Sequence, residues 1–358
     1  MKERRKTRLI RVGDVRVGGG APISVQSMTN TDTRDVRATV GQIRSLAREG
    51  CEIVRVAVPD EAAVRAFRRI RAASPIPVIA DIHFHHRLAV ACADAGAHGL
   101  RINPGNIGGE ERTREVLSAA RANGIPVRIG VNAGSLEKDL LHKHGGPTPR
   151  ALAESAARWV RFCERARFTQ LKFSLKASDV VTTVEAYRLF SRRFDYPLHI
   201  GVTEAGTMFS GTVKSAVGLG ILLSEGIGDT LRVSLTGPPE EEVRAGWQIL
   251  KSLGLRERGP DFISCPTCGR ASIDVTGIAL EVERRLSRLE VPLQVAVMGC
   301  AVNGPGEARE ADVGVAGGKG EGLIFVKGEI VKKVKEKEIV AEVVRLARRL
   351  AASGRRDR

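Results

Sequence analysis

Between residues 20 and 258 the chain switches repeatedly between two hydrophobic periods. Short apolar runs alternate with longer stretches that place apolar residues every three or four positions, the signatures of buried strands and amphipathic helices. Strands are predicted at Ile23–Met28, Ile53–Val58, Pro77–Phe84, Gly99–Asn103, Val127–Asn132, Leu171–Lys176, Leu198–Glu204 and Leu231–Thr236. Helices are predicted at Arg34–Glu49, Ala62–Ala73, Glu110–Asn123, Ala151–Ala166 and Val180–Arg193. Gly50, Gly96 and Gly124 stand where helix ends need a left-handed residue. Regular alternation of strand and helix implies a parallel sheet, and eight such units imply an α/β fold, a (β/α)8 TIM barrel. A doubly wound sheet fits less well, because Gly18-Gly-Gly20 precedes the first strand instead of following it.

The pattern breaks in a Gly/Pro/charge-rich stretch, Leu253–Asp261, read as a linker. Residues 1–258 are therefore assigned to the barrel and 259–358 to a small α+β domain. In the latter a helix is expected near Val275–Leu289, strands near Leu293–Met298, Val313–Ala316 and Leu323–Lys327, and a helix from Lys337 to Ala352. Gly317-Gly-Lys-Gly320 lacks the spacing of a phosphate-binding P-loop and reads as a turn. Arg355-Arg-Asp-Arg358 reads as a frayed tail.

Charge breaks the apolar runs where a barrel strand, buried on both faces, should be continuous aliphatic. Arg55, Arg101, Arg128 and Arg232 lie inside predicted strands, and Lys176 and Glu204 end two of them. Internal ion pairing can account for one or two, Arg232 above all, but Asp81 and Glu204 are the clear strand carboxylates. An unpartnered buried guanidinium is costly, so the remaining cations predict a basin at the C-terminal mouth that takes a phosphorylated small molecule. The formal net charge of +16 is assigned mostly to solvated helix faces. Aromatic residues make up 4% of the chain and form no stacking platform, so nucleic acid is not expected as a partner. No segment is apolar enough to span a bilayer or act as a secretory signal, and six cysteines in 358 residues make no disulfide framework; the expectation is a cytoplasmic protein.

Two cysteine motifs carry further chemistry: Cys265-Pro-Thr-Cys268 and Cys300-Ala-Val-Asn-Gly-Pro-Gly-Glu307. Three thiolates and one carboxylate suit a metal centre with one exchangeable position. A structural zinc site is the rival reading, but the small domain has no histidine to close it, which favours a [4Fe-4S] cluster. A second metal possibility is a zinc hydrolase site at Asp81-Ile-His83-Phe-His85-His86, with His199 as a further ligand. Against it stands a plainer reading, in which His83 bonds substrate or Asp81 while His85 and His86 cap the next helix. Cys51, Cys92 and Cys163 read as small buried hydrophobes.

These motifs, with Val25-Gln-Ser-Met-Thr-Asn-Thr-Asp32, Leu100-Arg-Ile-Asn-Pro-Gly-Asn106, Ile129-Gly-Val-Asn-Ala-Gly-Ser-Leu-Glu137, Val202-Thr-Glu-Ala-Gly206 and Ser224-Glu-Gly-Ile-Gly-Asp-Thr-Leu-Arg-Val-Ser234, run over essentially the whole chain. The chain resembles the 4-hydroxy-3-methylbut-2-enyl diphosphate synthase family, iron–sulfur enzymes of the non-mevalonate isoprenoid pathway, in its two-domain bacterial form. The resemblance implies a [4Fe-4S] cluster ligated by Cys265, Cys268, Cys300 and Glu307. It also implies a homodimer in which the cluster domain of one protomer faces the barrel of the other. The implied reaction is the two-electron reductive opening and dehydration of 2-C-methyl-D-erythritol 2,4-cyclodiphosphate. Joined to the strand cations, this predicts that Arg55, Arg101, Arg128 and Lys176 hold the diphosphate, with Asn132 and Ser234 adding neutral hydrogen bonds. Glu204 is the candidate acid, Asp81 and His83 orient it or the substrate, and Asn303 sits beside the cluster. No flavin or nicotinamide site is visible in the sequence, so reduced flavodoxin or ferredoxin is the expected electron donor.

Overall fold

The computed structural model describes residues 1–354, so the tail at Arg355–Arg358 lies outside the described residues. The chain divides into two compact units, Met1–Arg256 and a second beginning at Glu257.

The first unit opens with a hairpin of β1 (Ile10–Val12) and β2 (Val15–Val17), turned at Gly13 with φ 59°. Eight parallel strands follow: β3 (Ser24–Met28), β4 (Ile53–Ala57), β5 (Val78–Ile82), β6 (Gly99–Ile102), β7 (Val127–Asn132), β8 (Leu171–Lys176), β9 (His199–Ile200) and β10 (Thr230–Leu231). Their order is β8-β7-β6-β5-β4-β3-β10-β9, and a parallel bridge from Phe173 to Leu198 brings β8 back beside β9. The sheet thereby closes into the expected TIM barrel. Outward-facing Val25, Val54, Val78, Leu100, Val127, Leu171 and Leu231 pack with the helices into one aliphatic core. The helices start on side-chain caps: Asp35 accepts from the Ala38 N–H, Asp60 from Ala63, Thr148 from Ala151 and Asp179 from Thr182. Gly50, Gly96 and Gly124 have φ of 99°, 86° and 64°, as the sequence required.

Two findings differ from the sequence reading of this unit. The hairpin was not anticipated; its Ile10, Val12 and Val17 pack on Ile53 and Ile79 at the bottom of the barrel, so the interior is sealed from below. Strands β9 and β10 are only two residues long, against predictions of Leu198–Glu204 and Leu231–Thr236. Beyond Ile200 an added Cβ at Gly201 would sit 2.6 Å from the Arg232 carbonyl oxygen, and Glu204 takes φ 51°. The chain therefore leaves the ladder for a tight turn instead of extending.

In the second unit β11 (Pro260–Ser264), β12 (Leu293–Met298) and β13 (Val313–Gly318) are parallel, while β14 (Glu321–Val326) and β15 (Glu329–Lys335) continue antiparallel. Helices Val275–Leu286 and Ile339–Gly354 contribute Val282, Leu286, Val343 and Ala347 to one core with Val295, Val297, Val313 and Val315. A short helix, Gly304–Glu310, packs Ala308 into a second cluster with Ala296, Met298, Ala316 and Phe325. Strand β11 begins inside the stretch read as linker. Strand β15 is an edge whose Lys332, Lys333 and Lys335 keep it wet, and that charge hid it from an apolar-run criterion. Lys319 and Gly320 form the β13–β14 turn, as expected of that glycine-rich stretch. Among the described residues no helix is long and apolar enough to cross a membrane.

Candidate active site

Alternation along the barrel strands turns one set of side chains into the interior. On β8 Leu171, Phe173 and Leu175 join the outer core, so Lys172, Ser174 and Lys176 face inward. Register carries that face around the barrel: Arg128 lies opposite Lys172, Arg101 opposite Arg128, Asp81 opposite Arg101 and Asn132 opposite Lys176. The result is a ring of cations around one carboxylate. Asp81 is 1% exposed, with Arg55 Nε 3.1 Å from Oδ2 and Arg101 Nη1 donating to Oδ1 at 3.1 Å. Burial alone would raise the Asp81 pKa, but Arg55 and Arg101, then His83 and Arg128, reverse that and hold it well below the usual carboxylate range. Asn132, with its amide oxygen turned toward Arg101, accepts from Nη2 at 3.3 Å.

One carboxylate cannot balance the ring. Arg128 is buried, and its Nε and Nη1 find no hydrogen-bond partner among the described residues. Burial, then Arg55 and Arg101, push its pKa well down. Lys176 is lowered in the same way, by burial and then by Arg128 and Arg55. Burial lowers Arg55 to about 10 despite Asp81. Two inward glycines make room for these groups. A Cβ on Gly130 would lie 3.0 Å from Arg101 Nε, and one on Gly201 would lie 2.7 Å from Lys176 Nζ. Buried cations in excess of carboxylate, with donors left unpaired on Arg128, are chemically suited to an anion with several oxygens.

The other sequence candidates fall around this ring. Arg232 is neutralised by both oxygens of Glu242 at 3.0 Å, the ion-pair reading. Ser234 is half-buried in the segment after β10. Glu204 is exposed, in the turn after β9. His83 Nε2 lies 3.8 Å from Asp81 Oδ2, near enough to act on its charge but too far for the hydrogen bond considered above. His85 occupies the N-cap of helix His86–Asp94 without a side-chain cap bond, and His86 instead meets Glu115 at 3.2 Å. His199 is fully buried and bonds Thr230 Oγ1 through Nδ1 at 2.7 Å. Of the histidines in the zinc-hydrolase reading, His86 meets Glu115 and His199 bonds Thr230, and no three His, Cys, Asp or Glu side chains among the described residues, in either unit, gather as a metal site. Sequence reasoning passed over Lys172 and the two glycines, although the period-2 alternation places Lys172 on the same face as Lys176.

The cysteine motifs occupy one end of the second sheet. Cys265 follows β11 and Cys300 lies just past β12, its parallel neighbour, so both leave from carboxyl ends of adjacent strands. Cys265 Sγ accepts the Gly299 N–H at 3.2 Å. Backbone N–H groups of Asn303 and Val302 lower the Cys300 pKa. Cys268, Asn303 and Glu307 are exposed, and Asn303 is the N-cap of the helix that carries Glu307. Those N–H groups favour the Cys300 thiolate, the form that binds iron or zinc. The donor chemistry thus fits a thiolate-ligated cluster, while the four side chains are not drawn into one closed set. Cys51, Cys92 and Cys163 are buried, with burial raising each thiol to about 12, as inert core residues.

Fold and site together define a class: a (β/α)8-barrel enzyme with a cation-rich interior, followed by a small thiol-bearing α+β unit. A family profile described as the GcpE TIM-barrel domain matches residues 7–247, and one described as the GcpE protein C-terminal domain matches residues 261–349. The chain belongs to the GcpE family. A relative from Geobacter sulfurreducens, 63% identical and covering 95% of this chain and 98% of its own, is named 4-hydroxy-3-methylbut-2-en-1-yl diphosphate synthase (flavodoxin). One from Caldanaerobacter subterraneus bears the same name at 58% identity, covering 96% and 97%. Two solved structures speak to the fold alone. A truncated 3-deoxy-D-arabino-heptulosonate 7-phosphate synthase from Thermotoga maritima has TM-score 0.50 at 13% identity, covering 70% of this chain and 94% of its own. A type I 3-dehydroquinate dehydratase from Clostridium difficile has TM-score 0.51 at 13% identity, covering 69% and 98%.

Proposed function

We propose that this chain catalyses the reductive dehydration and ring opening of 2-C-methyl-D-erythritol 2,4-cyclodiphosphate to 4-hydroxy-3-methylbut-2-enyl diphosphate, with flavodoxin as the source of electrons. The names of its relatives support the reaction. The observation that carries the site is the ring of Arg55, Arg101, Arg128 and Lys176 around a single Asp81. Its excess of cations is what a diphosphate neutralises.

In this reading the four cations grip the diphosphate, and Asn132 and Ser234 add neutral hydrogen bonds. The oxygen that leaves when the ring opens gains negative charge as part of the diphosphate. Cations already fixed there stabilise that charge without reorganising. Asp81 holds the Arg55 and Arg101 guanidinium groups in place. Glu204, exposed beyond β9, is the acid that protonates the departing hydroxyl, and His83 steers it or the substrate. Cys265, Cys268, Cys300 and Glu307 would hold a [4Fe-4S] cluster, with Asn303 beside it, and when bound such a cluster would supply the two electrons one at a time.

A homodimer is part of the proposal. Helix Met208–Ser224 leaves Phe209, Val213 and Val217 exposed at four-residue spacing, an apolar stripe of the kind that marks an interface. The basic surface of the chain suits an acidic flavodoxin; ferredoxin is the alternative donor. The test is anaerobic. Purified protein should contain about four iron and four sulfide per chain and convert the cyclic diphosphate when given reduced flavodoxin. Zinc without sulfide, or no product from protein with a full cluster, would sink this reading.

A further inference from the structure

We propose that Lys172 is a positioning residue beneath the anion site, and that its proton arrives with the diphosphate, so that anion binding is coupled to proton uptake. This deepens the diphosphate reading and rests on it.

Lys172 lies on the inward face of β8, four residues before Lys176 and in register with Arg128. It is 1% exposed, and its Nζ has no hydrogen-bond partner among the described residues. The groups that act on it come from three sides. Arg128 on β7 and Arg55 on β4 repel its charge. Asp229, just before β10, attracts it, but that carboxylate already accepts from the Leu198 N–H at 2.8 Å and the Thr7 hydroxyl at 3.0 Å and meets Arg4 at 3.4 Å. His199 on β9 has its pKa lowered by burial and then by Arg128, and its Nε2 is likewise unpartnered among the described residues.

Arginine does not give up its proton in this pH range, so relief of the crowding falls to the lysines. Lys176 stands at the mouth end of the strand, where the anion itself meets it. Lys172 lies a layer deeper, where a neutral amine costs far less than an unpaired ammonium. Burial, reinforced by Arg128 and Arg55, brings its titration down to about 7. A diphosphate in the ring above cancels the repulsion from those arginines, and the amine then takes a proton from solvent. The new ammonium forms a second tier of positive charge that holds the anion at one depth in the barrel.

Calorimetric titration of inorganic diphosphate into anaerobically prepared full-length protein, in buffers of different ionisation enthalpy, counts the protons. At about pH 8 wild type should take up more than Lys172→Met, by up to about one proton, and the difference should fade below about pH 6, where the amine is already charged. The ligand's own ionisation is common to both proteins and cancels. Lys172→Arg, permanently charged, should lose the extra uptake while binding more tightly than the Met variant. If the Lys172 variants fail to fold, Lys176→Met titrated with methanedisulfonate, which carries no titrating group, decides instead, since Lys172 is then the remaining lysine of the strand's inward face. Uptake rising between about pH 6 and 8 supports the proposal, and a flat profile overturns it. Equal uptake in wild type and variants would remove Lys172 from the role. Absence of diphosphate binding to wild type would overturn the diphosphate reading itself.

Discussion

The barrel interior and the thiol loops are built on opposite plans. In the barrel every candidate cation is buried, sits on a strand, and is held by register, by Asp81 or by a facing glycine. In the second unit Cys268, Asn303 and Glu307 are exposed and lie on loops or a seven-residue helix, and no closed ligand set forms. The first site is therefore paid for by folding, which must tolerate uncompensated charge before any ligand arrives. On the proposed reading, the second would be completed by the cluster it binds. On the proposed reading, a rigid site would suit a diphosphate that must be held while a bond breaks, and an exposed carboxylate such as Glu307 would suit a position that exchanges.

The contrast can be broken from either side. The largest effect is expected from Cys300→Ser, which should reduce bound iron and turnover by more than about a hundredfold, since losing a ligand exceeds the cost of losing its supporting bonds; iron and sulfide assays with anaerobic turnover check it. Asp81→Asn comes next. Removing the one carboxylate of the ring should destabilise the barrel by about 3–5 kcal/mol in denaturant titration, with iron content unchanged. The same residue sets a pH limit. Its folded pKa lies below the unfolded value of about 4, so its contribution is full above that pH and is lost as pH falls toward the folded value. The acid limb of the stability curve should flatten in the Asn variant.

Arg128→Ala should weaken diphosphate binding by about 2–5 kcal/mol in calorimetry, yet leave the melting temperature unchanged or higher. That combination is expected of a cation whose Nε and Nη1 find no hydrogen-bond partner among the described residues and whose burial outweighs the attraction of Asp81. The smallest effect belongs to Gly130→Ala. Its Cβ would press on Arg101 at 3.0–3.1 Å and should cost about tenfold in diphosphate affinity with the fold intact.

Much of the barrel could be read from the sequence because its signal is local: an apolar run, a helical period, a glycine at each helix end. The cationic positions were legible for the same reason, as charges that violate a rule for buried strands. What escaped was what depends on distant pairing. The depth of Lys172 has no meaning until the Ile10–Val17 hairpin is known to close the barrel floor beneath Ile53 and Ile79. Gly130 and Gly201 look like ordinary strand interruptions until Arg101 and Lys176 are found lying across them. The lone neutralising partner of Arg232, Glu242, lies on helix Pro239–Ser252, outside any strand. The cysteine motifs show the converse. Spacing alone makes them ligand candidates, yet among the described residues their side chains do not gather as one set.

The most direct test of the contrast is the diphosphate affinity of Cys300→Ser protein that has lost its iron. If the barrel site is built by folding alone, the dissociation constant for inorganic diphosphate should stay within about threefold of wild type, a difference below about 1 kcal/mol. A loss of more than about a hundredfold would mean that the anion site needs the cluster to form, and the division of labour between the two units would fall.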